Sequence, residues 1–289
     1  MAMLQRNEAR ALGKDLLTKV KRDRITNGAA ALAFYWMLAL FPAAIFVLTL
    51  LPYLPLPNLE QAIMDLLRQA MPGDAAGMFE ETVRNVVSNR KAGLLSFGLL
   101  FTMWSGSTGI YAVMQELNAV HEVEETRPFW KARGVAVLLT LACVVLVLGA
   151  LALAVLGGAI QGWLGSTLGF SSVLLVFFAA LRWAIIAAAL LLALAVIYHF
   201  GPAVKERSFK LLTPGTVAGT LALALASLVF KIYVSNFGSY DKTYGSLGAV
   251  IALLMWLFVT GLVLLFGAEV DVTTRQSFEL KARPSLNAA

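Results

Sequence analysis

Long apolar runs alternate with short polar connections along the whole chain. A helix needs about 20 apolar residues to cross the hydrocarbon core of a bilayer, and six stretches qualify: 28–52, 93–119, 134–157, 170–199, 214–235 and 245–268. Between the first two lies a segment of different period, 53–92. "LPYLPLPN" ends the first span with prolines, which cannot continue a helix. Asn58 then caps a short helix, with Gln61 in the capping-box position, and Leu59, Ile63, Leu66, Leu67 and Ala70 share one face. Asp74 caps a second helix whose stripe is Phe79, Val83, Val86 and Val87. The pattern predicts an all-α polytopic membrane protein with six transmembrane helices and two amphipathic helices in the first outer loop. Those two lie on the membrane surface or roof the bundle, or serve packing alone.

Composition agrees with this class. Of 289 residues, 59% are hydrophobic and 14% charged, where a soluble domain carries about a quarter charged residues; the mean hydropathy is +0.77. The single cysteine, Cys143, lies in an apolar run, which excludes an internal disulfide and a Cys-based zinc site. The first span follows "KVKRDR", exceeds a signal-peptide core in length and lacks a small-residue cleavage site, so it reads as retained.

Basic residues orient the spans. They crowd the tail before span 1 (Arg6, Arg10, Lys14, Lys19, Lys21, Arg22, Arg24), the loops after spans 2 and 4 (Arg127, Lys131, Arg133; Lys205, Arg207, Lys210), and the C-terminal tail (Arg275, Lys281, Arg283). The connection after span 3, "GGAIQGWLGSTLGFSS", has no charge. Both termini are expected in the cytoplasm. Three regions follow: a basic cytoplasmic tail, 1–27; the transmembrane domain, 28–271, with the periplasmic insertion 53–92; and a cytoplasmic tail, 272–289.

Candidate chemistry begins with charges at membrane depth, which are costly and default to functional hypotheses. Arg182 has apolar sequence on both sides and should face the bundle interior, either to meet a structural partner or to bind an anion. Lys231, near the outer end of span 5, either snorkels to the interface or joins a polar outer mouth. That mouth would be built from "YVSNFGSYDKTYGSLGA", where Asn236, Tyr240, Lys242 and Tyr244 are candidate substrate-binding residues. The same loop also reads structurally, with Asn236 and Gly238 ending one helix and the tyrosines in the interfacial belt. On the inner side, Glu116, Asn118, Glu269 and Asp271 lie near span ends, with Arg127 and Arg133 as available partners, and read as a salt-bridged gate or a static clamp. Gly106 and Gly109, Gly158 and Gly162, and Gly215 and Gly219 allow close helix approach; "SGST" in span 2 could instead loosen that helix into a substrate-lining segment.

Enzyme chemistry is hard to find. "HEVEE" at His121 lacks the second histidine of a zincin helix, "SYDK" meets only the bare S-x-x-K spacing, and no glycine-rich phosphate loop occurs. No catalytic residue, metal site, cofactor, ATP site or nucleic-acid partner is expected.

Four blocks resemble the YihY/virulence factor BrkB family of bacterial inner-membrane proteins: "GAAALAFYWMLALFPAAI", "MWSGSTGIYAVMQELNAVHEVEETRPFWKAR", "YHFGP" and "YVSNFGSYDKTYGSLGAVIALLMWLFVTGLVLLFGAEVD". Their order and spacing match along nearly the whole chain, with Asp241 where the family often has Asn and His121 where it often has Tyr. The resemblance implies six transmembrane helices, an inner-membrane location and transport of lipid or envelope components. Members have carried the label ribonuclease BN, for which this sequence supplies neither a carboxylate cluster for two metals nor an RNA-binding face. The reading is a transporter or flippase for an anionic amphiphile, with membrane lipids as partners and a homo-oligomer open. The alternative is a non-transporting scaffold for envelope machinery.

Overall fold

A computed structural model describes residues 13–16, 18–50, 92–168, 171–204, 208–235 and 246–282. Among them are six long helices and no strand: α1 (Ile25–Leu50), α2 (Ala92–Val120), α3 (Phe129–Leu168), α4 (Ser172–Phe200), α5 (Pro214–Ser235) and α6 (Ser246–Ala282). The amphipathic helices expected within 53–92 lie outside the described residues. A short helical stretch precedes α1 and turns into it at Arg24, whose φ of 50° is left-handed.

Every consecutive pair of helices packs together, and α6 returns to α1, so the six form a closed ring; α6 also touches α2. Paired residues run in opposite directions along α1 and α2. The Thr102 hydroxyl donates to the Pro42 carbonyl at 2.7 Å, Gly109 lies against Trp36, and Gly28 against Glu116. Proline at 42 leaves α1 without one of its ladder hydrogen bonds.

Five of the six helices are long and apolar enough to cross a membrane among the described residues. α2, which carries Ser105–Gly109 and Gln115, Glu116 and Asn118, is not among the five. Its helix is nevertheless unbroken through "SGST". Two helices outrun their apolar stretches. α3 continues to Leu168, through residues expected to form a connection. Nothing there compels a break: the segment has no proline, and interior glycines cost only about 1 kcal/mol each. α6 continues past Ala268 to Ala282, carrying the first part of the expected tail as helix.

The packed core lies toward the end of the ring where the N-terminal segment enters, called here the basal end. Ile25 and Leu32 of α1, Val113 and Leu117 of α2, Ile197 and Tyr198 of α4, and Leu264 and Leu265 of α6 form one cluster. Outward faces of α3, α4 and α5 are apolar and exposed, with Val145, Leu148, Val176, Phe177, Leu221 and Leu228 among them. An apolar exterior around satisfied helices is what a bilayer solvates.

Glycines bring the ring together. A Cβ on Gly109 would stand 2.7 Å from Trp36 Cδ1. At the α4–α5–α6 junction, Gly267 lies 3.0 Å from the Gly215 carbonyl oxygen and 3.2 Å from Gly219 Cα, measured from the position its Cβ would take. Into this notch Tyr198 extends its hydroxyl, which donates to the Leu264 carbonyl at 2.7 Å. The small-residue stripes are therefore close-packing surfaces here.

Candidate functional site

Arg182 lies ten residues into α4, about 15 Å along the helix axis. Its side chain crosses to α3, where two adjacent glycines make room. A Cβ on Gly157 would stand 2.6 Å from Arg182 Cδ, and one on Gly158 3.0 Å from Nη1. The guanidinium is 5.6 Å from the Trp183 ring centroid. Its Nε and Nη1 are buried without a hydrogen-bond partner among the described residues. Farther from the basal end, the Gln161 amide donates across the same interface to the Leu175 carbonyl at 2.9 Å. The result is a cationic group held in a glycine notch, with no carboxylate on it among the described residues.

The outer group of candidates is less fully placed. Lys231 is exposed near the end of α5. Asn236, Tyr240, Lys242 and Tyr244 lie outside the described residues.

At the basal end, the residues grouped as a gate or clamp go to separate partners. Arg127 holds Glu125 through two hydrogen bonds of 2.7 Å, and also donates to the carbonyls of Gly201 at 2.7 Å and Phe200 at 3.1 Å. Asn118 completes this knot. Its amide donates to Glu125 at 3.0 Å, and its carbonyl oxygen accepts from the Ala203 N–H at 2.7 Å. The Arg127 guanidinium holds the Glu125 carboxyl below the usual carboxylate range. Asp271 instead caps α5, accepting from the Gly215 N–H and the Thr213 hydroxyl, both at 2.8 Å. A carboxylate at a helix N-terminus meets orphan N–H groups and the positive dipole end.

Arg133 reaches α2. It donates to the Trp104 carbonyl at 2.6 Å and the Thr108 hydroxyl at 2.8 Å, with its guanidinium 4.0 Å from the Trp104 ring centroid. Ser107 and Thr108 hydroxyls donate to that same carbonyl at 2.8 and 3.0 Å. "SGST" is thus the docking point of a buried arginine. A substitution pair tests what holds it there. Arg133→Met removes the buried charge and leaves the Trp104 carbonyl with two hydroxyl donors. Arg133→Lys keeps the charge but loses the planar fork and the stack. Lys is therefore expected to be the less stable variant, by about 2 kcal/mol, in thermal melts of the detergent-solubilised protein. Lys matching the wild type would mean the planar group contributes nothing.

Glu116 and Glu269 belong to a third arrangement, built on the segment before α1. Glu116 is half-buried against Gly28. Glu269 is fully buried, with Asp23 in hydrogen-bonding reach and Lys19 and Arg22 near. Lys19 donates to Gln276, and Arg22 bridges Asp23 and Glu122. Sequence reading counts Lys19 only as a tail charge and passes over Asp23, Thr273 and Gln276, because all four fall in stretches that look like charged tail. One signal was available: Glu269, Val272, Thr273 and Gln276 recur at the spacing of one helical face.

Fold and composition together define a polytopic helical membrane protein. The chain belongs to the family described as Virulence factor BrkB, which it matches over residues 16–289. It is 34% identical over 258 residues to the "Putative ribonuclease-like protein YfkH" of Bacillus subtilis, covering 89% of this chain and 93% of that one. A UPF0761 membrane protein of Alteromonas mediterranea is 23% identical over 269 residues, covering 92% and 88%. Another, from Chlorobium luteolum, is 28% identical over 259 residues, covering 88% of this chain and 58% of its own. No solved structure matches.

Proposed function

We propose that this protein is a carrier, a transporter or flippase, for an anionic amphiphile such as a lipid or envelope precursor. It works in the bacterial inner membrane, with the basal end and both termini in the cytoplasm, and without catalysis, cofactor, ATP site or nucleic-acid partner. The observation that carries this reading is the Arg182 guanidinium, buried in part between apolar helices with two nitrogens unsatisfied. An unpaired buried charge is costly, and a bound phosphate or carboxylate would remove that cost. The geometry suits a lipid. Phe177, Leu181 and Ile185 on α4 are exposed beside Arg182, so acyl chains could stay in the bilayer while the head group meets the cation.

The test is translocation of a labelled anionic phospholipid in proteoliposomes by wild type, Arg182→Lys and Arg182→Gln. Losing a charge-assisted hydrogen bond, about 1.5–3 kcal/mol, predicts a ten- to hundredfold slower rate, in rough terms, for Gln. Lys should keep a measurable part of the activity. Equal rates in the three proteins would remove Arg182 from the path, and the absence of translocation by wild type would favour the scaffold reading.

A further inference from the structure

Glu269 is 0% exposed, and neither of its oxygens has a hydrogen-bond partner among the described residues. Its neighbours explain why. Another carboxyl, Asp23, is within hydrogen-bonding reach. Two carboxylates only accept hydrogen bonds, so neither can satisfy the other unless a proton lies between them. The nearby cations are engaged as well: Lys19 with Gln276, and Arg22 with Asp23 and Glu122.

Other packed elements supply no competing charge. Of the described residues, α1 carries no ionised group, α2 contributes Glu116 one level away, and α5 has only Lys231 at its far end. On α6 itself, Asp271 faces α5 through Gly215 and Thr213, and Arg275 is exposed. A second buried group points to the same place independently. Thr273, one turn along the same face of α6, is 1% exposed, and its hydroxyl has no partner among the described residues. No group of three or more His, Cys, Asp or Glu side chains among the described residues is arranged to hold a metal ion. A proton fits a site of two facing carboxyls and a hydroxyl.

We propose that Glu269 and Asp23 hold one shared proton, and that this pair is the proton site through which transport is coupled to a proton gradient. The coupling half of this statement rests on the carrier reading. On release, the O–H bond of the shared carboxyl breaks and the proton passes to water at the basal end. Two carboxylates then face each other, a repulsive arrangement in a dry bundle. Lys19, one helical turn before Asp23, is placed to leave Gln276 and neutralise the new charge. Proton release thereby changes how the N-terminal segment holds α6 against α1.

Two measurements test the proposal separately. Infrared spectra of the purified wild type in liposomes near neutral pH should show a protonated-carboxyl stretch that shifts in heavy water and disappears in Glu269→Gln. Identical bands in wild type and variant, or no such band in wild type, would overturn the shared proton. In proteoliposomes loaded with labelled anionic phospholipid, a proton gradient should accelerate wild-type translocation. Glu269→Gln should lose that stimulation, and Asp23→Asn, at the more accessible end of the pair, should lose it too if the first variant fails to fold. A folded variant still stimulated like wild type would overturn the coupling. No translocation by wild type under any condition would defeat the carrier reading and the coupling, while the infrared result would still decide the shared proton.

Discussion

Gly267→Ala should destabilise the bundle by roughly 2–3 kcal/mol, the cost of overpacking a site that cannot yield. The added methyl would collide with the Tyr198 hydroxyl and stand 3.0 Å from the Gly215 carbonyl oxygen and 3.2 Å from Gly219 Cα. Two of these three neighbours are backbone. The third is pinned, because Tyr198 is 2% exposed and donates to the Leu264 carbonyl. Relief must come from separating α6 from α4 and α5, which gives up contacts across the core. Gly215→Ala meets the Gly267 carbonyl and the Asp271 carboxyl and should cost a similar amount. Gly134 has nothing within 4 Å of its would-be Cβ, so Gly134→Ala should be neutral or stabilising by about 0.5–1 kcal/mol through helix propensity. Thermal midpoints in detergent check all three. Adding Tyr198→Phe to Gly267→Ala removes the tightest contact and should recover part of the loss, a coupling that a double-mutant cycle reads directly. Gly267→Ala melting with the wild type would mean the three helices are not in close contact there.

Arg127→Ala should carry an effect of similar size, a loss of about 2–4 kcal/mol. The guanidinium satisfies Glu125 and the carbonyls at the end of α4 at once, and removal strands all of them in a partly buried corner. The loss should also depend on pH. Because Arg127 lowers the folded-state pKa of Glu125, the stability it contributes is fully present above the ordinary glutamate range, about 4.3. It is lost as pH falls below that range, through the lowered folded-state value. The gap in melting temperature between wild type and Arg127→Ala should therefore be constant near neutral pH and narrow in acid. A gap that stays constant down to the most acidic pH tolerated would show that Glu125 is not the partner that matters.

Arg127 and Arg133 also show where a linear reading stops. Both stood out as basic residues after an apolar run, which is enough to orient a span. Their partners did not stand out. Glu125 closes "HEVEE", which by spacing reads only as an incomplete zincin motif, and the Trp104 carbonyl is a backbone group that no composition signals. Asp271 and Glu269 are two residues apart, yet they turn to different helices. That divergence follows from 100° of rotation per residue once the helix continues past the apolar run.

What the sequence determined by itself is the class of molecule. Runs of about 20 apolar residues in a chain with 14% charged residues leave helices packed within a bilayer as the only arrangement that satisfies every backbone group. Arg182 was legible for the same reason, as a charge where the solvent tolerates none. Tertiary structure decided which polar groups are satisfied. The glycine notch beneath Arg182, the docking of Arg133 onto "SGST", and the meeting of Asp23 with Glu269 join residues 25, 29 and 246 positions apart. Such pairings depend on helix register and rotation, which the hydrophobic pattern of a nearly uniformly apolar helix does not encode.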